Sequence, residues 1–498
     1  MTKRLILFVL VLSCLFSTAA GVAETTFTMA GYDGASSSHD WNTNAFFTRM
    51  EARTGLSFTL EQYTAQQQWQ AAKDAMLAGT QAMPDALFKA ALTPNEQQLF
   101  YAAGRLIDLK PLLEENAPNL WALLQEHPDW MEAISLPTGE IVALPLIQTL
   151  PGEDAMWINQ KWLDTLHLEM PTDMESLRNV LTAFKTQDPN GNGKADEVPF
   201  AFIGSWELKL FSHLVGVTVD DYNLYLDDEG TVHFWPAEDS FYELLQYLRE
   251  LYRDGLLDQN GFSTIDSLRT VTDSSADIVY GAFFAPTPMN LLPYDCARDY
   301  SLLPPLSYDG KQVYRQLYGP VRGGTFAISS TCGDPAALLR WVDVLYTEEG
   351  GEEAIAGIAE QDYFVDDEGG WKWNSELSES YSALSELTIY DTGAMPLLFP
   401  TEFYNRYADE GIQHFNKELA LLREYAKAPF AHGMLTPQQR ETAMGYQAKL
   451  GAWVDTLIGS VVIGDITLDD AKIASCREEL QALGVDEMLA FWQEIADR

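Results

Sequence analysis

Near its start, the chain alternates between two patterns of apolar residues, one typical of strands and one typical of helices. Residues 25–32 (TTFTMAGY) and 56–63 (LSFTLEQY) place apolar side chains at alternate positions, as half-buried strands do. Residues 44–55 (NAFFTRMEARTG) have a helical period that stops at a glycine, and a second helix and a short strand follow. This β-α-β-α-β order predicts a mostly parallel sheet covered by helices, which is an α/β fold.

Proline and capping signals predict the helices that follow. Pro111, Pro118 and Pro128 divide the next stretch into short helices, because proline suits the first turn of a helix. Thr172 stands three residues before Glu175, the capping-box spacing, so an amphipathic helix is predicted to begin there. The 498-residue chain is too long for one core and has no long linker, so we expect two lobes joined by short crossings.

Residues 1–23 have the pattern of a secretory signal. A basic start at Lys3 and Arg4 precedes an apolar run over 5–16 and small residues up to Ala23. Cleavage after Ala23 is favoured, while the stretch VLSC ending at Cys14 loosely matches a lipoprotein box and leaves a lipid anchor open. No later apolar run is long enough to span a bilayer, so we expect an exported, soluble mature protein.

The net charge argues against some classes of binding partner, and the cysteine spacing argues against a metal site or redox motif built on cysteines. The sequence has 31 Lys and Arg against 73 Asp and Glu, a formal net charge of −42, which disfavours nucleic acid and anionic membranes. Cys296, Cys332 and Cys476 follow the signal, with no C-x-x-C pair and no histidine at ligand spacing. We expect small buried side chains, although one disulfide with one free thiol is compatible with this number.

The stretch DPNGNGKADEVPF, residues 188–200, has the spacing of a calcium loop. Oxygen-bearing side chains occupy the first, third, fifth and ninth positions: Asp188, Asn190, Asn192 and Asp196. Gly193 at the sixth position permits the sharp turn, and Lys194 at the seventh would contribute its carbonyl oxygen. The twelfth position is Pro199 and not a bidentate glutamate, so Glu197 would complete the shell. We predict one structural Ca²⁺ site; the alternative is an Asn/Gly-rich turn that binds no metal.

The block MWINQKWLDTLHLEMPTDMESLRNVLTAFKTQDPNGNGKADEVPF, residues 156–200, resembles the bacterial extracellular solute-binding proteins of carbohydrate ABC transporters, especially the large calcium-containing alginate-binding proteins. Further similar stretches lie at 106–145, 323–350 and 466–498. The resemblance implies these calcium ligands: Asp188, Asn190, Asn192, the Lys194 carbonyl, Asp196 and Glu197. The sequence departs from the family at His167, where a glycine is usual, and in its lack of a clean lipoprotein box.

The same resemblance implies a periplasmic-binding-protein-like α/β fold, with two lobes joined by a hinge and the ligand cleft between them. Lobe I would comprise residues 24–148 and 322–396, and lobe II, with the calcium loop, residues 149–321 and 397–498. The implied function is the capture of an oligosaccharide, in the periplasm or on the outer cell surface, for delivery to an ABC permease by a monomeric, non-enzymatic protein. A secreted glycoside hydrolase and the ligand-binding component of a membrane sensor are the alternatives.

A carbohydrate site needs flat apolar faces and polar side chains in one cleft. The candidates are Tyr32, Asp33, Trp41, Trp69, Trp206, Glu207, Phe283, Phe284, Arg322, Trp371 and Trp373. Trp206 and Glu207 are favoured because they follow a predicted strand over 198–204, and open α/β sheets bind ligands beyond the carboxyl ends of their strands. Packing in a core is the alternative role for each aromatic residue.

Overall fold

The structure is a computed structural model that describes residues 25–34, 40–150, 153–316, 319–365, 371–373, 386–389, 394–403, 410–430 and 432–497. The predicted signal, with Cys14 and Ala23, lies outside these residues. Across the part of the chain that is described, no helix is both long and apolar enough to cross a membrane.

Strands form two main sheets and several two-stranded pairs. In chain order they are β1 (Thr25–Tyr32), β2 (Leu56–Tyr63), β3 (Ala86–Phe88), β4 (Leu144–Ile147), β5 (Ala155–Asn159), β6 (Leu224–Leu226), β7 (Val232–Phe234), β8 (Ala282–Ala285), β9 (Tyr300–Leu302), β10 (Tyr314–Arg315), β11 (Val321–Ile328), β12 (Tyr363–Val365), β13 (Trp371–Trp373) and β14 (Ala426–Lys427). The first sheet has the order β2-β1-β3-β11-β4, and the second has the order β8-β5-β9.

Helices cover both sheets. In chain order they are α1 (Ala45–Thr54), α2 (Gln66–Ala78), α3 (Pro94–Ala102), α4 (Lys110–Asn116), α5 (Pro118–Glu126), α6 (Pro128–Ile134), α7 (Gln160–Leu166), α8 (Met174–Thr186), α9 (Gly204–Lys209), α10 (Asp239–Arg253), α11 (Asp266–Arg269), α12 (Tyr294–Ala297), α13 (Pro335–Asp343), α14 (Glu348–Ala356), α15 (Glu410–Ala420), α16 (Pro437–Tyr446), α17 (Ala452–Ile463), α18 (Asp470–Leu483) and α19 (Val485–Ala496). The predicted α/β fold is therefore confirmed.

The first sheet is parallel over β1, β2 and β3, as the alternating pattern predicted. β11 then enters antiparallel between β3 and β4. Gly31 is required where β1 and β3 meet, because a Cβ atom there would lie 1.6 Å from the carbonyl oxygen of Phe88. Trp341 of α13 packs against the rings of Phe47 and Phe88 in the core on one face of this sheet.

The second sheet is antiparallel, because β5 pairs with β8 on one side and with β9 on the other. The predicted strand over 198–204 is present only as isolated parallel bridges, which join Val198 to Tyr280, Phe200 to Leu257 and Ala201 to Phe283. Helices α10, α17 and α19 close the core around this sheet through residues such as Leu248. The core of the second sheet thus includes the C-terminal helices.

Local signals place most helix ends correctly and one incorrectly. Asn44 caps α1, and Gly55 ends it in the left-handed conformation, as predicted. The predicted capping box of Thr172 and Glu175 is wrong by one residue. Asp173 caps α8, and it exchanges hydrogen bonds with Ser176 because an aspartate is the better acceptor at this position.

The three described cysteines are free thiols. Cys296 and Cys476 are buried, and Cys332 is half-buried. Burial raises the pKa of each thiol, so these side chains act as small apolar groups at neutral pH.

His167 ends α7 in the left-handed conformation, with φ at 55°. A side chain with a Cβ atom is strained there, whereas glycine is not. We expect His167→Gly to raise the free energy of unfolding by about 1 kcal/mol, measured by denaturant titration. His167→Ala is the control, because it removes the imidazole and keeps the strain; an equal gain in both variants would contradict the backbone explanation.

Candidate functional site

One edge of the first sheet collects the ends of several strands. β1, β3 and β4 run in the same direction and end at this edge, and the antiparallel β11 begins there. The residues at these ends are Tyr32, Asp33, Lys89, Gln148 and Arg322, and we call them the first-sheet rim. Ligands of open α/β sheets bind at such edges, so this rim is one candidate wall of a site.

The second sheet has a matching edge. β5 begins where β8 ends, since Ala155 pairs with Ala285, and residues 198–202 run parallel to β8 toward the same edge. Helix α9 begins directly after them. We call Asp154, Gly204, Trp206 and Glu207 the second-sheet rim.

Short crossings hold the two rims together. Residues 148–154 connect β4 to β5, and residues 316–320 connect β10 to β11. Seven residues reach about 25 Å at most when fully extended, so the end of β4 and the start of β5 lie within about that distance of each other. Arg315 anchors the second crossing, because its guanidinium donates to the carbonyl oxygen of Val219 and to the carboxylate of Asp221, each at 2.7 Å. We take the space between the two rims as the candidate ligand cleft.

Three of the predicted ligand residues are accessible at the rims. Trp206 is 47% exposed and lies on α9 itself, not in the predicted loop. On the first-sheet rim, Tyr32 is half-buried and Arg322 is exposed. The second-sheet rim therefore has an accessible aromatic side chain, and the first-sheet rim has a phenol and a guanidinium group.

Four predicted aromatic residues are buried in the cores: Trp41, Trp69, Phe283 and Phe284. The Trp41 indole N–H donates to Asp33 at 2.9 Å, and that of Trp69 donates to the carbonyl oxygen of Ala90 at 2.9 Å. Phe283 and Phe284 belong to β8, which lies beside the central strand of its sheet. Their burial gives these residues a packing role and leaves no open ring face for a sugar. Trp371 and Trp373 form β13, which pairs with β12, and their side chains lie outside the described part.

The two predicted carboxylates are buried in ion pairs. Asp33 is 0% exposed and pairs with Lys89, while Glu207 is 2% exposed and accepts from Arg269 at 3.0 and 3.2 Å. Burial raises the pKa of Glu207 to about 7, against the lowering effect of the Arg269 charge and of the Ile203 N–H. The sequence analysis missed both cations. A lysine directly after the apolar strand ALF was a usable signal for Lys89, whereas nothing local indicated Arg269.

The predicted calcium loop folds into a tight turn between α8 and residues 198–202. Asp188 and Gly193 have positive φ values, and Asp188 accepts the N–H of Gly193 at 3.0 Å. The Asn190 and Asn192 amides donate to the carboxylate of Asp196 at 3.2–3.3 Å. The loop thus gathers carboxylates and amides within a few ångströms of one another.

The same loop leaves two carboxylate oxygens without a hydrogen-bond partner. These are Oδ1 of Asp188 and Oε1 of Glu197, both buried. Burial, and then the charges of Asp196 and Asp188, raise the pKa of Glu197. In the described residues no group of three or more His, Cys, Asp or Glu side chains could hold a metal alone. A cation here would also need the amide and carbonyl oxygens that the spacing supplies, and this hard-oxygen set fits Ca²⁺.

A separate recess of about 520 Å³ lies between α5, α6 and residues 432–439. Its wall includes Met131 and Glu132 on one side and His432 and Met434 on the other. None of the rim residues or predicted ligand residues lines it. Its lining, with Leu124 of the first core and Leu435 of the second, is therefore different from that of the two rims.

No family model matches the sequence. The chain is 28% identical over 320 residues to the fructooligosaccharide ABC transporter substrate-binding protein FusA of Streptococcus pneumoniae. That alignment covers 62% of this chain and 58% of the relative, which is less than two thirds of its length.

Solved structures match over nearly the whole chain. An HMO-binding, ABC-transporter-associated solute-binding protein of Bifidobacterium longum infantis has a TM-score of 0.77 at 20% identity, and the match covers 95% of this chain and 99% of that protein. The chain has the fold of these solute-binding proteins. A FusA EF-hand mutant in complex with fructo-nystose (TM-score 0.65, 22% identity, 95% and 99% covered) and the alginate-binding protein AlgQ2 without calcium ion (0.64, 18%, 95% and 98%) share it. The resemblance seen in the sequence is confirmed.

Asp220, beside the anchored second crossing, provides a test by pH. It is buried, its Oδ1 accepts the N–H groups of Tyr222 and Leu224, and its Oδ2 has no partner. Burial raises the pKa of Asp220 to about 7 from an ordinary value of 3.8. Its contribution to stability is present below pH 3.8 and is lost as the pH rises through about 7.

We therefore expect Asp220→Asn, which keeps the Oδ1 acceptor, to become more stable than the wild type as the pH rises, by on the order of 2 kcal/mol at pH 8. Denaturant titrations at pH 4, 6 and 8 measure the difference. Asp221→Asn, which removes an exposed partner of Arg315, serves as control and should gain nothing. A constant difference between Asp220→Asn and wild type at all three pH values would contradict the burial argument.

Proposed function

We propose that the protein is an extracytoplasmic solute-binding protein that captures an oligosaccharide and delivers it to an ABC transporter permease, acting as a monomer without catalysis. The observation that carries this proposal is the exposed Trp206 face on one rim of the cleft. Sugar rings have apolar C–H faces, and an open indole is the side chain that binds them best. The likeness to FusA, whose name gives a fructooligosaccharide as its cargo, supports the same class of ligand.

We propose that the two sheets mark two lobes that close on the solute. The sequence analysis placed the first lobe in residues 24–148 and 322–396, and the second lobe would follow the crossings at 148–154 and 316–320. The chain would pass between the lobes a third time near residue 400. Leu397 and Phe403 still pack in the core of the first sheet, whereas Phe415 packs with the second sheet. This supports a boundary after residue 403, later than the 396/397 boundary expected from the sequence.

The buried ion pair behind Trp206 supports its role as a platform. Glu207 accepts the N–H of Ile203 at 2.8 Å and two bonds from Arg269, so α9 is held at both ends of its first turn. An aromatic side chain on a held backbone loses little entropy when a ligand binds. The high acidic total favours neutral over acidic oligosaccharides.

The residues at the rims support a glycoside hydrolase less than they support a binding protein. Glycoside hydrolysis needs two carboxyl groups on either side of the bond to be cleaved. The two carboxylates predicted at the cleft, Asp33 and Glu207, are buried in ion pairs with Lys89 and Arg269. Neither can approach a glycosidic oxygen in this arrangement, which favours binding over turnover.

We also propose a structural Ca²⁺ in the loop 188–197. The residues that would hold it are Asp188, Asn190, Asn192, Lys194 through its carbonyl, Asp196 and Glu197. The two unpartnered carboxylate oxygens support it, since buried acceptors require a hydrogen bond or a cation. The neighbours described as an EF-hand mutant and as a protein without calcium ion support the same reading. The cation would neutralise the acidic loop and would not contact the sugar.

The first test is thermal melting of the mature protein with calcium against neutral and acidic oligosaccharides. A ligand at 100 times its dissociation constant adds about 2.7 kcal/mol, so one class of neutral glycan should raise the melting temperature by several degrees and be recovered intact. Trp206→Ala should weaken that binding about tenfold or more by calorimetry. Trp121→Ala, a half-buried tryptophan of α5 away from both rims, should not. A shortened glycan would make the protein an enzyme, and no response would contradict the carbohydrate class.

Calcium is tested by removal. Chelation should lower the melting temperature by about 5 °C or more, and Asp188→Ala should lower it equally and abolish the effect of the chelator. Asp309→Ala is the matched control, because Asp309 is an exposed aspartate with a similar positive φ in another turn. Equal losses in both variants, with a melt unchanged by chelation, would show that the loop holds no metal.

A further inference from the structure

The carboxylate of Asp33 receives side chains from three separate segments. The indole N–H of Trp41 and the amide of Gln62 donate to its Oδ2 at 2.9 and 2.8 Å, and the ammonium group of Lys89 donates to its Oδ1. Trp41 follows β1, Gln62 belongs to β2 and Lys89 follows β3. One carboxylate thus connects the ends of three parallel strands on the first-sheet rim.

This cluster is closed to solvent. Asp33 is 0% and Lys89 1% exposed, and Trp41 is fully buried. The backbone around the cluster is also constrained. Lys89 has a positive φ of 52°, and Asp33 donates its own N–H to the carbonyl oxygen of Tyr63 at 2.9 Å. A solute in the cleft could not touch this carboxylate without moving the rim.

The cluster extends to a segment distant in sequence. Lys89 also donates to the carbonyl oxygen of Ile389 at 3.2 Å, Asn44 donates to that of Thr388 at 3.0 Å, and Arg49 donates to that of Leu387 at 2.8 Å. Three successive carbonyl oxygens are therefore held by three side chains of the first-sheet region. The strand ends and this segment share one network of hydrogen bonds.

We expect this network to fix the relative positions of the strand ends more than it raises the free energy of unfolding. Removing two charges from water costs about as much as their attraction returns, so a buried ion pair can often be replaced by neutral groups without loss of stability. Geometry is different, because directional bonds to one carboxylate fix how several segments stand relative to one another. The strand ends so fixed are those that carry the half-buried Tyr32 and border the candidate cleft.

We infer that Asp33 is a positioning residue of the binding site: with Lys89 it holds the first-sheet rim in the shape that meets the ligand, and it does not contact the ligand itself. This inference rests on the proposed function. It replaces the direct contact that the sequence suggested for Asp33 by an action through the segments bound to it.

The test compares Asp33→Asn, Lys89→Met and the double variant Asp33→Asn/Lys89→Met with the wild type. Each single variant removes one charge of the buried pair and should melt at a clearly lower temperature, while the double variant should recover most of that loss. The double variant should still bind at least about tenfold more weakly, with fructooligosaccharides as the first probe. In the ligand-free protein, its amides at Asp33, Ala90 and Leu92 should exchange hydrogen about tenfold faster.

Asp343→Asn is the matched control. Asp343 is a buried carboxylate that accepts the N–H groups of Asn119 and Leu120 at the start of α5, away from the rim. This control should lower the melting temperature and leave affinity and exchange at the rim unchanged.

Three results would overturn the inference. Wild-type exchange at the rim amides of the double variant would show that Asp33 does not hold the rim. Faster exchange with unchanged affinity would leave it a structural role only, and lost affinity with unchanged exchange would make it a direct contact. If the wild type binds no glycan, the proposed function fails, while exchange still decides whether Asp33 holds the rim.

Discussion

Residues 148–154 are all that separates β4 from β5, and this short distance constrains the rest of the molecule. A crossing of that length can only connect strand ends that are near each other. The carboxyl end of β4 and the amino end of β5 are therefore brought together, and with them the other strand ends at each edge. Because sheets bind ligands at such edges, the connection that joins the two sheets also creates the candidate cleft.

Both rims of the candidate cleft contain a buried ion pair. Asp33 and Glu207 each lie at the end of a strand or strand-like segment, and each pairs with a cation that arrives from a distant part of the chain, Lys89 or Arg269. Burying such pairs adds little stability, but an unpaired partner would be costly, so each pair tolerates few alternative arrangements. The rims are consequently held where they border the candidate cleft, and the proposed closure of the lobes would have to take place at the crossings.

The sequence predicted what depends on neighbours along the chain and missed what depends on distant ones. The caps Asn44 and Gly55 act within one helix, so α1 was predicted with its ends, and the parallel order of β1 to β3 followed from their periodicity. Burial of Trp41 depends on Asp33 and on rings brought in by other segments. Trp69 did carry a local signal, because Ala72 and Met76 lie on the same face of α2 and all three are buried.

The predicted calcium loop and Trp206, the proposed sugar platform, are connected through the backbone. Asn190 of the loop donates to the carbonyl oxygen of Ile278, and Val198 donates to that of Val279 at 2.7 Å. Residues 198–202 then lead directly into α9 and Trp206. Ordering of the loop by a cation would therefore fix the start of the segment that ends at the platform. The proposed metal would therefore act on the candidate cleft only through the backbone, without contacting a ligand.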